Sequence, residues 1–388
     1  MGHTDRLLSR QPIYGAAMNV VAYELRSNQL PIFQLLTEPA LDAVVGEHPG
    51  LINLTPQALA DRLWRSMPKS RVMLGYFHNF RPKDEVATQL MEIAAHGYPL
   101  VVSGELKLES LQLLNKATHT IKLDVTRYRP ADLEEKVADL RMLKSKSKIL
   151  ASNVDTFDDL EFCKSLEFDF YQGHFLSRPA RQRNEIAANR MTMIRLLSKL
   201  QDSQTPVSEI EDLVSRDLPL SYKLLRYANS PVVSLPRNVY SVAHAVRLIG
   251  MQLLRTWSTA LLLCSVEDKP RELITIALVR ARMCELLGES VRGAEKESFL
   301  SAGLLSVLDA LFDCPMEQLL TELPLTDEIK AALIHRSGPN GQALRCTIAY
   351  ERADWDDVHF YSMAPAPIRE KYMEAISWAQ QLTSGLLN

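Results

Sequence analysis

The sequence predicts two unlike domains, a shortened (β/α)8 barrel with an antiparallel first strand and, after it, an all-α domain. Up to about Ser177 short apolar segments alternate with amphipathic ones, whereas after Pro179 almost every periodic segment repeats with the helical period. The length of 388 residues exceeds one ordinary domain and suits two. We expect the barrel at residues 1–179, a charged hinge at 180–186 and the helical domain at 187–388.

Eight segments of the first half have the character of strands. They are Leu8–Tyr14, Val20–Leu25, Leu51–Leu54, Val72–Phe77, Leu100–Ser103, Thr120–Val125, Lys148–Asn153 and Phe168–Gln172. Most are separated by helical patterns, at Gln57–Ser66, Lys83–His96, Glu109–Lys116, Ala131–Leu143 and Thr156–Leu166. This alternation predicts a parallel sheet, and eight strands with so many crossovers indicate a closed barrel. The connection Gly15–Asn19 is too short for a helical crossover, so the first two strands should be antiparallel.

The second half contains a run of amphipathic helical patterns. They are Ile186–Gln201, Val207–Ser215, Leu218–Ala228, Val239–Ile249, Gln252–Val266, Arg271–Leu287, Lys296–Phe312, Met316–Thr321, Thr326–His335, Gly341–Ala353 and Pro367–Thr383. Breakers separate several of them, as at Ser230–Pro236. An all-α domain of about 200 residues follows from this pattern.

Composition excludes several classes of protein. Hydrophobic residues make up 46% and charged residues 23%, the mix of a globular chain, and the formal net charge is −3, without the basic excess of a nucleic-acid-binding protein. No apolar run approaches the roughly 20 residues that cross a bilayer, and no secretory leader is visible. The five cysteines form no CxxC pair, which favours reduced thiols. We therefore expect a cytoplasmic protein that binds neither nucleic acid nor membrane.

Five motifs follow one another at the predicted strand ends. They are RQPI at 10–13, VAYEL at 21–25, INLT at 52–55, IKLD at 121–124 and FYQGHFLSRP at 170–179. In this order they resemble the EAL domain of cyclic di-GMP phosphodiesterases. The resemblance implies residual site positions at Glu24, Asn53, Lys122, Asp124 and Gln172. Glu24 and Lys122 can be interpreted either as an ion pair inside the barrel mouth or as ligand-binding residues.

Most of the acids that the resemblance implies are absent. Gly75 and His78 stand at the acidic positions of the fourth strand, and Ser103 and Gly104 replace two aspartates of the fifth. Ser152 replaces a glutamate of the seventh strand. The family hydrolyses its substrate with two divalent cations, and hard cations need several converging oxygen ligands. We therefore expect no catalytic residue, no metal site, no cofactor and no enzymatic activity.

Two motifs of the helical half carry a second resemblance. The stretches DLPLSYKLLRYANS at 217–230 and SVAHAVRLIG at 241–250 resemble the signature of HDOD domains. Such domains resemble HD phosphohydrolases that lack the metal ligands, and this chain contains no His-Asp dipeptide. The signature positions are Asp217, Asn229 and Ser230. Asp217 suits a helix N-cap, and Asn229 with Ser230 suits a turn that ends a helix.

Together these features predict a non-catalytic bacterial signalling protein of the EAL–HDOD type. Its helical domain would bind unidentified partner proteins in cyclic di-GMP-related regulation of motility, attachment or stress. Two alternatives stay open, a weak metal-dependent cyclic di-GMP phosphodiesterase and a sensor that binds the nucleotide without cleaving it. The family's arginine falls on Asn28, which argues against binding of cyclic di-GMP. The resemblance also allows a homodimer.

Overall fold

The chain forms two compact units, residues 6–176 with 351–353 and residues 177–350 with 354–388. The computed structural model describes residues 6–28, 32–34, 38–143, 146–180, 188–202, 204–229, 238–263, 265–266 and 268–386. Apart from Ala180, the predicted hinge at 180–186 lies outside these residues, so the domain limits stay a prediction.

The first unit contains a closed barrel of eight strands in sequential order. The strands are β1 Leu8–Gly15, β2 Val20–Ser27, β3 Gly50–Asn53, β4 Val72–Tyr76, β5 Leu100–Ser103, β6 Thr118–Asp124, β7 Lys148–Ser152 and β8 Phe170–Tyr171. Neighbours from β2 to β8 pair in parallel, and β1 is antiparallel to both β2 and β8. The predicted barrel and its antiparallel first strand are thus confirmed. The hairpin closes tightly, because the Gly15 amide donates to the Asn19 carbonyl at 2.9 Å.

Helices cover the crossovers of the barrel. They are α1 Glu38–Val45, α2 Pro56–Ala60, α3 Glu85–Ala95, α4 Leu108–Leu114, α5 Pro130–Met142 and α6 Phe157–Ser165. The predicted helix at 57–66 is interrupted, since Arg62 adopts a left-handed conformation with φ of 52° and a separate 3-10 turn follows at Leu63–Ser66. Thr156 begins α6 with a capping box, in which its hydroxyl accepts from the Asp159 amide and the Asp159 carboxylate accepts from the Thr156 amide.

The inside of the barrel has an apolar layer beneath a polar one. Ile13, Ala22, Leu51, Val101 and Leu150 form a buried cluster from five strands. Since side chains alternate across a strand, the residue two positions further toward the barrel mouth shares the inward face. The residues at these positions, in the same strand order, are Gln11, Glu24, Asn53, Ser103 and Ser152. The strand period therefore places polar groups together at the carboxyl edge of the parallel sheet.

The second unit is helical throughout the residues described from 188 onward, as predicted. Its helices are α7 Ala188–Gln201, α8 Val207–Arg216, α9 Leu218–Ala228, α10 Val242–Ile249, α11 Met251–Leu263, α12 Arg271–Gly288, α13 Lys296–Leu305, α14 Leu308–Phe312, α15 Met316–Thr321, α16 Asp327–His335, α17 Gly338–Arg352 and α18 Pro365–Leu386. The prediction of a single helix at 296–312 is wrong, because two helices occupy this range. Val307 separates α13 from α14 with a non-helical backbone, at φ of −113° and ψ of 8°. Within the described part of the chain, no helix is both long and apolar enough to cross a membrane.

Substitution of Gly173, at the barrel mouth, tests how closely the strand ends are packed. A Cβ at this position would lie 1.7 Å from the backbone oxygen of Val154, so any side chain forces the strand ends apart. We expect Gly173→Ala to lower the free energy of unfolding by about 3 kcal/mol in urea titrations. Gly97→Ala is the control, because its Cβ would meet open space and only its φ of +86° is unfavourable, a cost of about 1 kcal/mol. An equal cost for both variants would contradict the packing argument.

Candidate functional site

The Glu24 carboxylate lies in the barrel mouth and accepts hydrogen bonds from four side chains. Lys122 Nζ donates to Oε1 at 2.9 Å and to Oε2 at 2.8 Å. Asn53 Nδ2 donates to Oε1 at 3.1 Å, and Gln172 Nε2 donates to Oε2 at 2.7 Å. Arg26 Nη2 lies 3.4 Å from Oε2. The structure therefore brings four of the five predicted barrel positions into one network.

Burial and charge set the ionisation of this network. Glu24 is 2% exposed and Lys122 is 14% exposed. Burial alone would raise the pKa of Glu24, but the charges of Lys122 and Arg26 and the hydrogen bonds from Lys122 and Asn53 together lower it to about 2. Burial lowers the pKa of Lys122, and the facing carboxylate opposes that effect. We conclude that Glu24 is a carboxylate at neutral pH, held by charge-assisted hydrogen bonds.

Asp124, the fifth predicted position, makes none of these hydrogen bonds to Glu24, although its charge acts on Lys122. Its carboxylate accepts from the backbone amide of Thr126 at 3.1 Å, from the Thr126 hydroxyl at 2.7 Å and from Arg127 Nε at 3.2 Å. Burial would raise the pKa of Asp124, whereas these hydrogen bonds lower it overall. The residue therefore serves as the N-cap of the 3-10 turn Val125–Arg127.

Two glycines stand where acidic side chains were expected, and their neighbours fill the space. A Cβ on Gly75 would lie 2.8 Å from the Phe77 ring and 2.9 Å from Asn53 Oδ1. A Cβ on Gly104 would lie 2.4 Å from the Leu123 side chain. The Phe77 ring also lies 5.1 Å from Lys122 Nζ, a cation–π contact that helps to position the ammonium group.

The residues at the mouth do not fit the pair of divalent cations that the resemblance implies. Glu24 is engaged by cationic and amide donors on both of its oxygens. Glu105 accepts from the Tyr128 hydroxyl at 2.7 Å, and Asp124 caps its turn. In the part of the chain that the structure describes, no group of three or more His, Cys, Asp or Glu side chains could hold a metal ion. A cation pair needs more free oxygens than this arrangement supplies.

Several buried acceptor oxygens of the mouth have no hydrogen-bond partner within the described chain. They belong to Gln11, Asn53, Glu105 and Gln172. The amide nitrogens of Asn53 and Gln172 donate to Glu24, so their carbonyl oxygens remain available for a donor. Buried polar groups are usually satisfied by protein, water or a ligand. The mouth therefore combines a fixed charge network with buried acceptors that lack a partner within the described chain.

Sequence reasoning missed Phe77 and Gln11. Phe77 lies two residues after Gly75, so both face the same side of an extended chain. A large side chain two positions from a glycine could have indicated that Phe77 fills the space that Gly75 leaves open. Gln11 pairs with Glu24 across β1 and β2. Its Nε2 lies 3.5 Å from Nε2 of His174, whose backbone amide donates to Asp155 at 3.1 Å.

The predicted signature residues of the helical half have structural roles. Asp217 Oδ1 accepts from the Leu220 amide at 2.9 Å near the start of α9. Asn229 Nδ2 donates to the carbonyls of Leu225 and Val239, and its Oδ1 accepts from the Val239 amide at 2.7 Å. Asn229 therefore holds the end of α9 against the chain that leads into α10. Ser230 lies outside the described residues.

Two curated proteins are similar to this chain along nearly its whole length. Cyclic di-GMP phosphodiesterase CdgJ of Vibrio cholerae serotype O1 is 27% identical over 402 residues, covering 97% of this chain and 92% of that protein. The uncharacterized protein YuxH of Bacillus subtilis is 24% identical, covering 97% of this chain and 98% of its own. The similarity to CdgJ corrects the expectation that the chain is not an enzyme, because CdgJ matches 97% of this chain and is named a phosphodiesterase.

Solved structures similar to the chain include EAL proteins. A standalone EAL protein from Vibrio cholerae O395, in its c-di-GMP-bound form, is 15% identical with a TM-score of 0.35, covering 45% of this chain and 92% of that one. The EAL domain of Mycobacterium smegmatis DcpA is 17% identical with a TM-score of 0.35, covering 43% of this chain and 90% of that one.

The low pKa of Glu24 predicts a specific loss of stability in acid. The folded value near 2 lies below the ordinary 4.5, so between these values the unfolded chain binds the proton more readily. The stabilisation is complete above pH 4.5 and is lost as the pH falls toward 2. We expect the wild type to lose about 2 kcal/mol relative to Glu24→Gln between pH 6 and pH 3, measured by urea unfolding.

The matched control for this measurement is Glu161→Gln, an exposed position on α6. That variant should follow the wild-type profile through the whole pH range. Parallel profiles for the wild type and Glu24→Gln would show that Glu24 is not held as a buried carboxylate.

The helical half matches a known family model. The HDOD domain model aligns with residues 188–320, from the start of α7 into α15. This range contains both described signature residues, Asp217 and Asn229. The predicted resemblance is thus confirmed for this half, and residues 188–320 of the chain, which follow an eight-stranded closed barrel, are an HDOD domain.

Proposed function

We propose that this protein acts on cyclic di-GMP in a signalling pathway, and that the mouth of its barrel around Glu24 is the nucleotide site. The observation that carries the proposal is the polar network on the inward face of the strand ends, in which a buried carboxylate is fixed and neighbouring acceptor oxygens lack partners. The end-to-end similarity to a protein named a cyclic di-GMP phosphodiesterase supports hydrolysis of this nucleotide as the activity.

The chemistry of the ligand suits this mouth. Guanine presents N–H donors, which would pair with the unpartnered oxygens of Asn53 and Gln172 once a rearrangement of the mouth exposes these buried atoms. The phosphates need cationic donors, and the guanidinium of Arg26 is partly exposed beside Glu24. Lys122 and Arg26 together exceed the single negative charge of Glu24, so the network itself favours an anion.

Calorimetric titration of the full chain with cyclic di-GMP tests the proposal. We expect micromolar binding, formation of the linear dinucleotide detectable by chromatography, and at least tenfold weaker binding by Arg26→Met because a phosphate contact is lost. The matched control is Arg129→Met, an exposed arginine on the same barrel that pairs with Asp132. Absence of both binding and product in the wild type, or unchanged binding by Arg26→Met, would refute the proposed site.

A second function, the binding of a partner protein by the HDOD domain, is favoured by an exposed apolar surface. Leu218 and Tyr222 are 76% and 65% exposed and lie four residues apart on α9, on one face of that helix. Tyr240, also strongly exposed, stands just before α10 and its ring stacks on His244. Exposed aromatic and aliphatic groups of this kind are enriched in protein interfaces.

Introducing charge on α9 tests partner binding. We expect Leu218→Glu combined with Tyr222→Glu to abolish capture of a partner that the wild-type chain retains on an affinity column. Because both side chains are exposed, the melting temperature should change little. Leu108→Glu, at an exposed leucine of the barrel, is the control and should retain the partner. Identical capture by the wild type and the double variant would contradict a docking role for this surface.

A further inference from the structure

A cavity of about 260 Å³ lies at the amino-terminal end of the parallel strands, opposite the mouth around Glu24. Residues at or near the starts of the strands line it, such as Val72 and Thr120, together with loop residues just before strands, such as Pro49 and Pro99. The buried apolar cluster beneath the polar groups of the mouth forms its inner wall. Eight-stranded barrels are usually filled by side chains, so an open volume of this size indicates a binding site.

The lining of this cavity is mostly apolar, with polar groups mainly at its exposed rim. Among the described residues that line it none is acidic, and Lys69 carries the charge at neutral pH. Lys69 has no ion pair within the described chain, and its ammonium lies 5.8 Å from the centre of the Tyr98 ring. Burial and the charge of Lys148 lower the pKa of His119, so this imidazole is neutral at neutral pH. Its Nδ1 lies 2.9 Å from the Thr120 hydroxyl, which pairs these two groups.

We propose that this cavity binds a monocarboxylate with an aliphatic body of about eight carbon atoms. An apolar cavity of about 150 Å³ accommodates benzene, and the larger volume here suits a larger body. The hydrocarbon chain packs against the apolar walls, and the Lys69 ammonium at the rim pairs with the carboxylate. The proposal is independent of the proposed nucleotide site, which uses the other end of the barrel.

The rim suits a head group with a single negative charge. Lys69 and Ser70 are neighbours in the loop before β4 and offer an ammonium and a hydroxyl donor. Lys148, which is close enough to act on His119, is paired with Asp169 at 3.0 Å, so its charge is already balanced. One cation without a carboxylate partner in the described chain matches a carboxylate better than a doubly charged phosphate.

Calorimetric titration of the full chain with sodium octanoate tests the proposal. We expect the wild type to bind with a dissociation constant below about 1 mM. Lys69→Met should weaken octanoate binding about tenfold, because the head group loses its charged donor, and should leave binding of the neutral 1-octanol unchanged. The matched control is Lys107→Met, at an exposed lysine that precedes α4 on the mouth side of the barrel, and it should bind like the wild type.

A variant that fills the cavity tests its location. Met73 lines the cavity and is partly buried, so Met73→Trp should abolish binding of both octanoate and 1-octanol. Circular dichroism establishes that the variant is folded, and Val21→Phe, at another partly buried lining residue, replaces it should that protein fail to fold. Absence of octanoate binding in the wild type, equal affinities in the wild type and Lys69→Met, or binding that survives the filled cavity would overturn the proposal.

Discussion

The burial of one carboxylate, Glu24, constrains the whole barrel mouth. A charge removed from water is tolerated only where donors replace its hydration. Here the donors come from distant parts of the chain, since Lys122 is 98 residues and Gln172 is 148 residues further along. They can meet Glu24 only in a closed barrel with the observed register. Closure of the sheet and integrity of the network therefore depend on each other.

The strand ends show how a core adapts when acidic side chains are absent. At Gly75 and Gly104 the space that a side chain would need is occupied by Phe77 and Leu123, so the mouth is closely packed beside these two glycines. Protein interiors tolerate few voids, and a change at one position is compensated by its neighbours. The apolar filling also lowers the local polarity around Lys122, which strengthens its attraction to Glu24. Packing and electrostatics thus reinforce the same arrangement.

Sequence patterns predicted the barrel well because strands that face a core on one side and helices on the other have clear apolar runs. The same patterns missed a helix boundary in a segment where every residue is buried. From Phe299 to Leu308 every residue is buried, so the apolar pattern continues through the break at Val307 and gives no sign of it. In the mouth, the resemblance of the strand-end motifs pointed to Glu24, Asn53 and Gln172, but the same motifs also pointed to Asp124, whose carboxylate is bound within its own turn. The expectation that the chain is not an enzyme rested on the acidic side chains that are missing from the strand ends. Their absence does not establish what the remaining side chains can do.

Three carboxylates near the mouth, those of Asp124, Glu105 and Glu24, differ in how their donors can be exchanged. Asp124 is held by the backbone and hydroxyl of Thr126, and releasing it would uncap a turn. Glu105 accepts from Tyr128, whose pKa is raised by burial and by this carboxylate, so the phenol keeps its proton. Asp124 also contacts a charged side chain, Arg127, but its bonds to Thr126 hold the turn, whereas Lys122 can withdraw from Glu24 without breaking backbone structure. A ligand that reaches the Glu24 carboxylate must therefore either leave its contact with Lys122 intact or displace the ammonium group.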